Sequence, residues 1–114
     1  MDEISFALIN KALDALNERY LYTAQNIANA NSPEYRPVRV AFEDTLRAAA
    51  QQGRLAIEGV EPRVFTEATQ EAAPALRLDL ELATASQTAA RYRALIEMLG
   101  RQMALHRSVV SGGR

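Results

Sequence analysis

The chain has no cysteine and no tryptophan, and its aromatic residues are limited to four Tyr and three Phe in 114 positions. The missing cysteine excludes disulfides and thiol chemistry, and it agrees with an extracytoplasmic destination without requiring one. The apolar fraction is 48% and consists mainly of Ala and Leu. Such a chain can fill a seam between helices, but it offers little bulk for a deep globular core. At this length we expect one small domain at most.

Strong charge of one sign and long apolar runs are also missing. The net charge is −1, which gives no indication of binding to nucleic acid or to an anionic membrane. No apolar run approaches the ~20 residues of a membrane span. The first residues, Asp2 and Glu3, are acidic where a secretory signal would be basic. We therefore expect any export from the cytoplasm to need no cleaved signal peptide.

The sequence contains no pattern typical of catalysis or of metal or cofactor binding. No nucleophile lies beside a base, and no glycine-rich phosphate loop is present. The single histidine, His106, has neither a cysteine nor a second histidine with which to form a metal site. We predict no catalytic, cofactor-binding or metal-binding residues, and we expect His106 to pack at the edge of a helix seam.

The first helix is predicted over residues 3–29. Its apolar residues alternate at spacings of three and four, which is typical of the a and d positions of a coiled coil. We expect Asn31 to end the helix in the left-handed conformation that Asn tolerates. The predicted seam positions are Phe6, Ile9, Leu13, Leu16, Tyr20, Thr23 and Ile27.

The last helix is predicted to begin between residues 76 and 79 and to run to about residue 110. Its apolar positions keep the same alternation for more than four heptads, which predicts a rod of about 50 Å. The predicted seam positions are Leu78, Leu82, Ala85, Ala89, Tyr92, Ile96, Leu99, Met103, His106 and Val110.

The middle of the chain has weaker patterns. Residues 42–52 predict a short helix, and residues 55–65 predict a short hairpin or an extended arm. Residues 66–75 are polar and rich in alanine, and we expect a linker that can be disordered. The fold class is therefore all-α, with two long terminal helices pairing as an antiparallel-type coiled-coil hairpin. Residues 1–36 and 76–114 would form the coiled-coil domain, and residues 37–75 a small, partly irregular central segment.

Residues 26–36, N-I-A-N-A-N-S-P-E-Y-R, form the most distinctive stretch. Three asparagines end the long heptad pattern, and Pro33 then prevents the helix from continuing. The asparagines can contact a neighbouring subunit, or they can cap their own helix and face water. Tyr35 can anchor the turn against a helix of this chain or against a neighbour. The candidate assembly motif comprises Asn26, Ile27, Asn29, Asn31, Pro33 and Tyr35.

This stretch resembles the N-I-A-N-x-x-T-P-G-Y motif of bacterial flagellar rod, hook and related axial proteins. Residues 91–99, R-Y-R-A-L-I-E-M-L, resemble a segment near the end of the proximal rod proteins in that family. The resemblance covers both terminal helices and contributes little in the middle. Glu34 stands where the family normally has Gly. Because a type II turn would require positive φ at this position, we expect a type I turn or an open loop.

The resemblance implies a structural subunit of the proximal rod, which joins the membrane base ring of the flagellum to the rest of the axial structure. It implies as partners other copies of the chain, other rod and base-ring proteins, and the flagellar export apparatus. The expected location is the periplasmic rod of the basal body, with no nucleic acid, no membrane span and no cofactor. Two alternatives are another rod component and a cytoplasmic helical adaptor or export-chaperone-like binding module.

Overall fold

The computed structural model describes residues 1–67 and 73–112, and most of these residues are helical. The element order is α1 (Glu3–Ala28), β1 (Val38–Ala41), α2 (Glu43–Ala50), α3 (Arg54–Glu58), β2 (Arg63–Thr66) and α4 (Pro74–Gly112). The two long helices pair antiparallel. The Met1 amino group donates to Gln102 Oε1 at 3.2 Å, while Asn26 contacts Glu81 near the other end of the pair. The predicted all-α class, with a long helix at each end, is confirmed.

Both ends of α1 have a local chemical cause. Asp2 caps the first turn, since its Oδ1 accepts from the backbone N–H of Ser5 at 2.7 Å. This bond lowers the pKa of the exposed Asp2 carboxyl. At the other end, the backbone N–H of Asn29 reaches the carbonyls of Gln25 and Asn26. No described residue other than glycine has positive φ, so the prediction that Asn31 adopts a left-handed conformation is wrong.

The turn after α1 agrees with the prediction of a type I turn or an open loop at Pro33 and Glu34. The backbone N–H of Tyr35 donates to the carbonyl of Ser32 at 3.3 Å, which closes a turn with Pro33 and Glu34 in the middle. Glu34 has negative φ, so the turn is not type II. This agrees with the expectation that a glutamate at this position disfavours the positive φ of a type II turn.

Helix α4 is 39 residues long and begins at Pro74, slightly before the predicted start. Proline suits the first helical position because its missing N–H would have no partner there. Residues 68–72 of the predicted linker lie outside the described residues. Because α4 ends at Gly112, two residues after the predicted end, the last helix is longer at both ends than the heptad pattern alone predicts.

The middle of the chain is more ordered than predicted. Strands β1 and β2 pair antiparallel, with Val38 opposite Thr66 and Ala41 opposite Arg63. The short helix predicted over residues 42–52 is confirmed by α2. The hairpin or extended arm predicted over residues 55–65 is wrong in its first part, because α3 occupies it and only β2 is extended. Ile57, which is fully buried, anchors α3 against the rest of the protein.

The hydrophobic core lies between α1 and this central segment. Val40, Phe42 and Leu46 are among its buried members, and Leu95 of α4 packs against it as a partly buried neighbour. The described part of the central segment, residues 37–67, therefore supplies most of this buried cluster. The buried cluster comprises Ala15, Leu16, Val40, Phe42, Leu46, Ala49, Ile57 and Val60.

Candidate functional site

The first asparagine of the candidate assembly motif lies in the interior of the protein. Asn26 is 1% exposed, and its side-chain amide makes four hydrogen bonds. Its Nδ2 donates to the carbonyl of Val38 at 2.9 Å and to Glu81 Oε2 at 3.0 Å. Its Oδ1 accepts from the backbone N–H of Val38 and from the hydroxyl of Tyr35, both at 2.9 Å. One amide thus joins α1 to the turn, to β1 and to α4.

This geometry differs from both sequence interpretations of Asn26. Its side chain neither caps α1 and faces water nor lies at the surface for a neighbouring subunit. Two acceptor and two donor positions of the amide are all used within the chain, which satisfies a group whose burial without partners would cost about 1–3 kcal/mol. The sequence marks the stretch as distinctive, but the partners are up to 55 residues away and cannot be read from local spacing.

The remaining motif residues have different surroundings. Asn29 Nδ2 donates to the carbonyl of Gln25 at 2.9 Å, so this side chain does serve the end of its own helix. Asn31 and Pro33 are exposed, and Ile27 is partly buried. The motif therefore has a buried part at Asn26 and a surface part at residues 31–33.

Tyr35 anchors the turn within its own chain. Its hydroxyl donates to Asn26 Oδ1, which selects the first of the two interpretations, contact with a helix of the same chain. Burial raises the pKa of the Tyr35 hydroxyl, and the nearby Glu81 carboxylate adds to the effect. The hydroxyl therefore remains protonated and able to donate at neutral pH.

Glu81 completes the network from the side of α4. Glu81 is 2% exposed, and its Oε1 accepts from Arg39 Nη2 at 2.6 Å. Arg39 Nε in turn pairs with Glu67 Oε1 at 2.8 Å. Burial opposes the charge of Arg39, but its bonds to the two carboxylates outweigh this and raise its pKa. We call Asn26, Tyr35, Arg39, Glu67 and Glu81 the polar clasp.

Sequence reasoning did not identify Arg39 or Glu81. Glu81 adjoins the predicted seam position Leu82, and a glutamate beside a heptad leucine is usually a solvated residue. No local pattern distinguishes it. Only the approach of β1 and α1 to this turn of α4 shows that the carboxylate is buried and paired.

A second ion pair connects α1 to α2. Arg19 donates two hydrogen bonds to the Glu43 carboxylate at 2.7 Å each, and its Nε and Nη2 also reach the carbonyl of Val40. Its guanidinium lies 4.8 Å from the centroid of the Phe42 ring. The Arg19 hydrogen bonds lower the pKa of Glu43 to about 2. Arg91 of α4 approaches the same carboxylate at 3.4 Å, so this ion pair also reaches the last helix.

The predicted seam of α1 is partly buried. Ile9, Leu13 and Leu16 are buried, and Ile27 is half-buried. Phe6 and Tyr20 are both 45% exposed, so these two positions of the stripe do not lie at the centre of the interface, whereas Thr23 beyond Tyr20 is buried.

The predicted seam of α4 is rotated away from α1. Leu82, Tyr92, Ile96 and Met103 are exposed, and Leu99 is half-buried. At Leu82, Ala89, Ile96 and Met103 the more buried residue is the one just before the predicted position. These better-buried residues are Glu81, Thr88, Leu95 and Gln102. The seam drawn from the heptad pattern is therefore wrong at the exposed positions Leu82, Tyr92, Ile96 and Met103 of α4.

The displaced seam residues of the two helices meet at an open groove. The groove has a volume of about 490 Å³, and Tyr20, Tyr92 and Ile96 supply its exposed apolar lining. A separate open pocket of about 360 Å³ is lined by Phe6, Met103 and His106 among others. The groove is thus an exposed apolar surface along one side of the helix pair.

The described residues contain no group of three or more His, Asp or Glu side chains placed to hold a metal ion. Among the helices of residues 1–67 and 73–112, none combines the length and apolar character needed to cross a bilayer. No protein-family model matches the chain, and no curated protein gives a significant match.

Proposed function

We propose that this chain is a structural subunit of the bacterial flagellar basal-body rod, at its proximal end. In this role it links the membrane base ring to the rest of the axial structure. The observation that carries the proposal is the large apolar surface that the two long helices leave exposed, with α4 as its main contributor.

Helix α4 has 39 residues, yet the ones fully buried in the described structure are Arg77, Glu81 and Thr88, none of them apolar. Soluble monomers rarely leave large contiguous apolar patches in water, and such patches mark interaction sites. The exposed apolar residues of α4 include Leu76, Leu80, Leu82, Tyr92, Ile96, Met98, Met103, Leu105, Val109 and Val110.

The sequence supports the choice of assembly. The N-I-A-N stretch is similar to the motif of flagellar axial proteins, and residues 91–99 resemble the proximal rod protein FlgB. The proposed partners are further copies of the chain, other rod and base-ring proteins, and the export apparatus that would deliver it to the periplasm. The exposed part of the motif, residues 31–33, and the open groove are the surfaces proposed to meet neighbouring subunits.

A single charge in the groove tests the proposal. Ile96 is 44% exposed, so Ile96→Asp leaves the monomer folded but places a carboxylate on the proposed contact surface. In cells that carry this variant as their only copy, we expect loss of motility and basal bodies without a completed rod. Ser86→Asp adds the same charge at an exposed polar position of α4 and is the control. Normal motility and normal rods in the Ile96→Asp strain contradict the proposal.

The exposed apolar surface also favours a second candidate, a cytoplasmic helical adaptor or export-chaperone-like binding module. Such a protein would use the groove to hold a partner helix without entering the rod. Cell fractionation separates the two candidates, since a purely cytoplasmic pool in flagellated cells supports the adaptor. A further alternative within the flagellum is another rod component, because the N-I-A-N motif is shared among them.

A further inference from the structure

The rotation of α4 about its own axis does not follow its apolar residues. The more buried line passes through Glu81, Thr88 and Leu95, whereas the heptad line passes through the following residues in the chain. Leu82 and Ile96 on the heptad line are 47% and 44% exposed. At ~100° per residue, two lines offset by one residue differ by roughly 100° of helix rotation.

The other rotation would bring apolar side chains to the interface. Turning α4 so that Leu82, Ile96 and Met103 faced α1 would cover side chains that are 44–51% exposed in the observed arrangement. The observed rotation therefore needs a contact that favours it.

The polar clasp is that interaction. Glu81 is its only member on α4, and the carboxylate joins α4 both to Arg39 of β1 and to Asn26 of α1. Rotating α4 toward its heptad line would withdraw this carboxylate and leave the Asn26 amide and the Arg39 guanidinium with fewer partners. Breaking a buried hydrogen-bonded charge pair costs far more than an exposed pair contributes.

We propose that Glu81 sets the rotation of α4 on α1, and that it thereby holds the apolar heptad stripe of α4 at the open side of the helix pair. Buried polar residues have this register-setting role in other helical assemblies. Glu81 is thus a positioning residue. Its effect is on the geometry of the helix pair and is independent of the partner that later covers the stripe.

Distances between spin labels on the full-length chain test this inference. The natural sequence has no cysteine, so labels can be attached at introduced cysteines alone. One pair, Asn17→Cys with Arg93→Cys, spans the groove. The other pair, Asp44→Cys with Gln87→Cys, lies on the opposite side of α4, where Glu43 and Gln87 line a common cleft. Each pair is measured with Glu81 present and in the Glu81→Ala variant.

We expect Glu81→Ala to shorten the first distance and lengthen the second. A rotation of about 100° moves the side-chain ends of a helix ~10–12 Å wide by roughly 8–9 Å, which such measurements resolve. The matched control, Glu97→Ala, removes an exposed carboxylate from the same helix and should leave both distances unchanged.

Glu81→Gln covers the case in which the alanine variant fails to fold. The glutamine keeps the size of the side chain, but its NH2 group cannot accept the bond from Asn26 Nδ2 while its oxygen accepts from Arg39. We expect a second population at the shorter groove distance in this variant. Parental distances in a folded Glu81→Gln protein, or an equal shift in Glu97→Ala, overturn the proposal.

Discussion

At the scale of single residues, Asn26 shows how one side chain can define a junction. Its amide has two donor and two acceptor positions, and all four are matched by groups of Val38, Glu81 and Tyr35. A carboxylate, a hydroxyl or an apolar side chain could satisfy at most part of this set. The identity of residue 26 therefore follows from the geometry around it.

Asn26→Asp tests this requirement at constant size. The substitution removes both donors and places a carboxylate within about 3 Å of the Glu81 carboxylate, as read from the present Nδ2 contact. We expect the free energy of unfolding at neutral pH to fall by about 2–4 kcal/mol. Denaturant unfolding measures the change, and Asn31→Asp at an exposed position is the control. Equal stability of the two variants would contradict the role assigned to Asn26.

The Arg19–Glu43 pair predicts a pH dependence. The folded pKa of Glu43, about 2, lies below its usual 4.5, so the folded state binds this proton less tightly than the unfolded state does. The stabilisation from Glu43 is then complete above about pH 4.5 and is lost as the pH falls toward 2.

Glu43→Gln measures that contribution. The Glu43 side chain is 41% exposed and therefore screened by water. We expect the substitution to lower the free energy of unfolding by only about 1 kcal/mol at pH 7. The difference from the parent protein should shrink between pH 4.5 and pH 2. A difference that stays constant over that range would show that the ion pair is not its cause.

At the scale of elements, the strong signals in the sequence predicted the terminal helices and α2. Heptads that continue without a break, together with Pro33, locate α1 to within one residue of its end. The pairing of β1 with β2 was not predicted, because the two strands have four residues each and are separated by two helices in the chain. Likewise, the rotation of α4 depends on Glu81, whose partners lie on distant parts of the chain.

Glycine positions give an element-scale prediction. Gly53 precedes α3 with φ of 104° and ψ of −177°, a region that is essentially restricted to glycine. Its added Cβ would meet no atom within 4 Å, so the cost of Gly53→Ala is backbone strain of about 1–3 kcal/mol.

Gly100→Ala is the matched substitution. Gly100 lies inside α4, where an added Cβ also meets nothing within 4 Å. We expect this variant to gain about 0.5–1 kcal/mol of stability, since alanine favours the helix. Thermal unfolding should shift in opposite directions for the two variants, and a shift in the same direction would contradict the conformations described.

At the scale of the whole molecule, the protein is an elongated body with extents of 64 × 26 × 14 Å. Its apolar core lies at one part of this length, between α1 and the central segment, while the later turns of α4 are exposed. Stability is therefore unevenly distributed along the chain.

Hydrogen exchange should report this gradient. We expect the slowest amide exchange in α1, α2 and β1, which surround the buried cluster, and much faster exchange over residues 103–112 of α4. Mass spectrometry of peptides from the intact, dilute protein provides the measurement. Uniform protection along α4 in a monomer would show that its end is held by contacts absent from this structure.

The most direct test of the proposed role is a cryo-electron microscopy map of basal bodies isolated from flagellated cells that produce this chain. We expect density for the chain in the proximal rod, with the open groove covered by helices of neighbouring subunits and the polar clasp intact inside each copy. Complete rods in which no copy of this chain is present would contradict the proposed role.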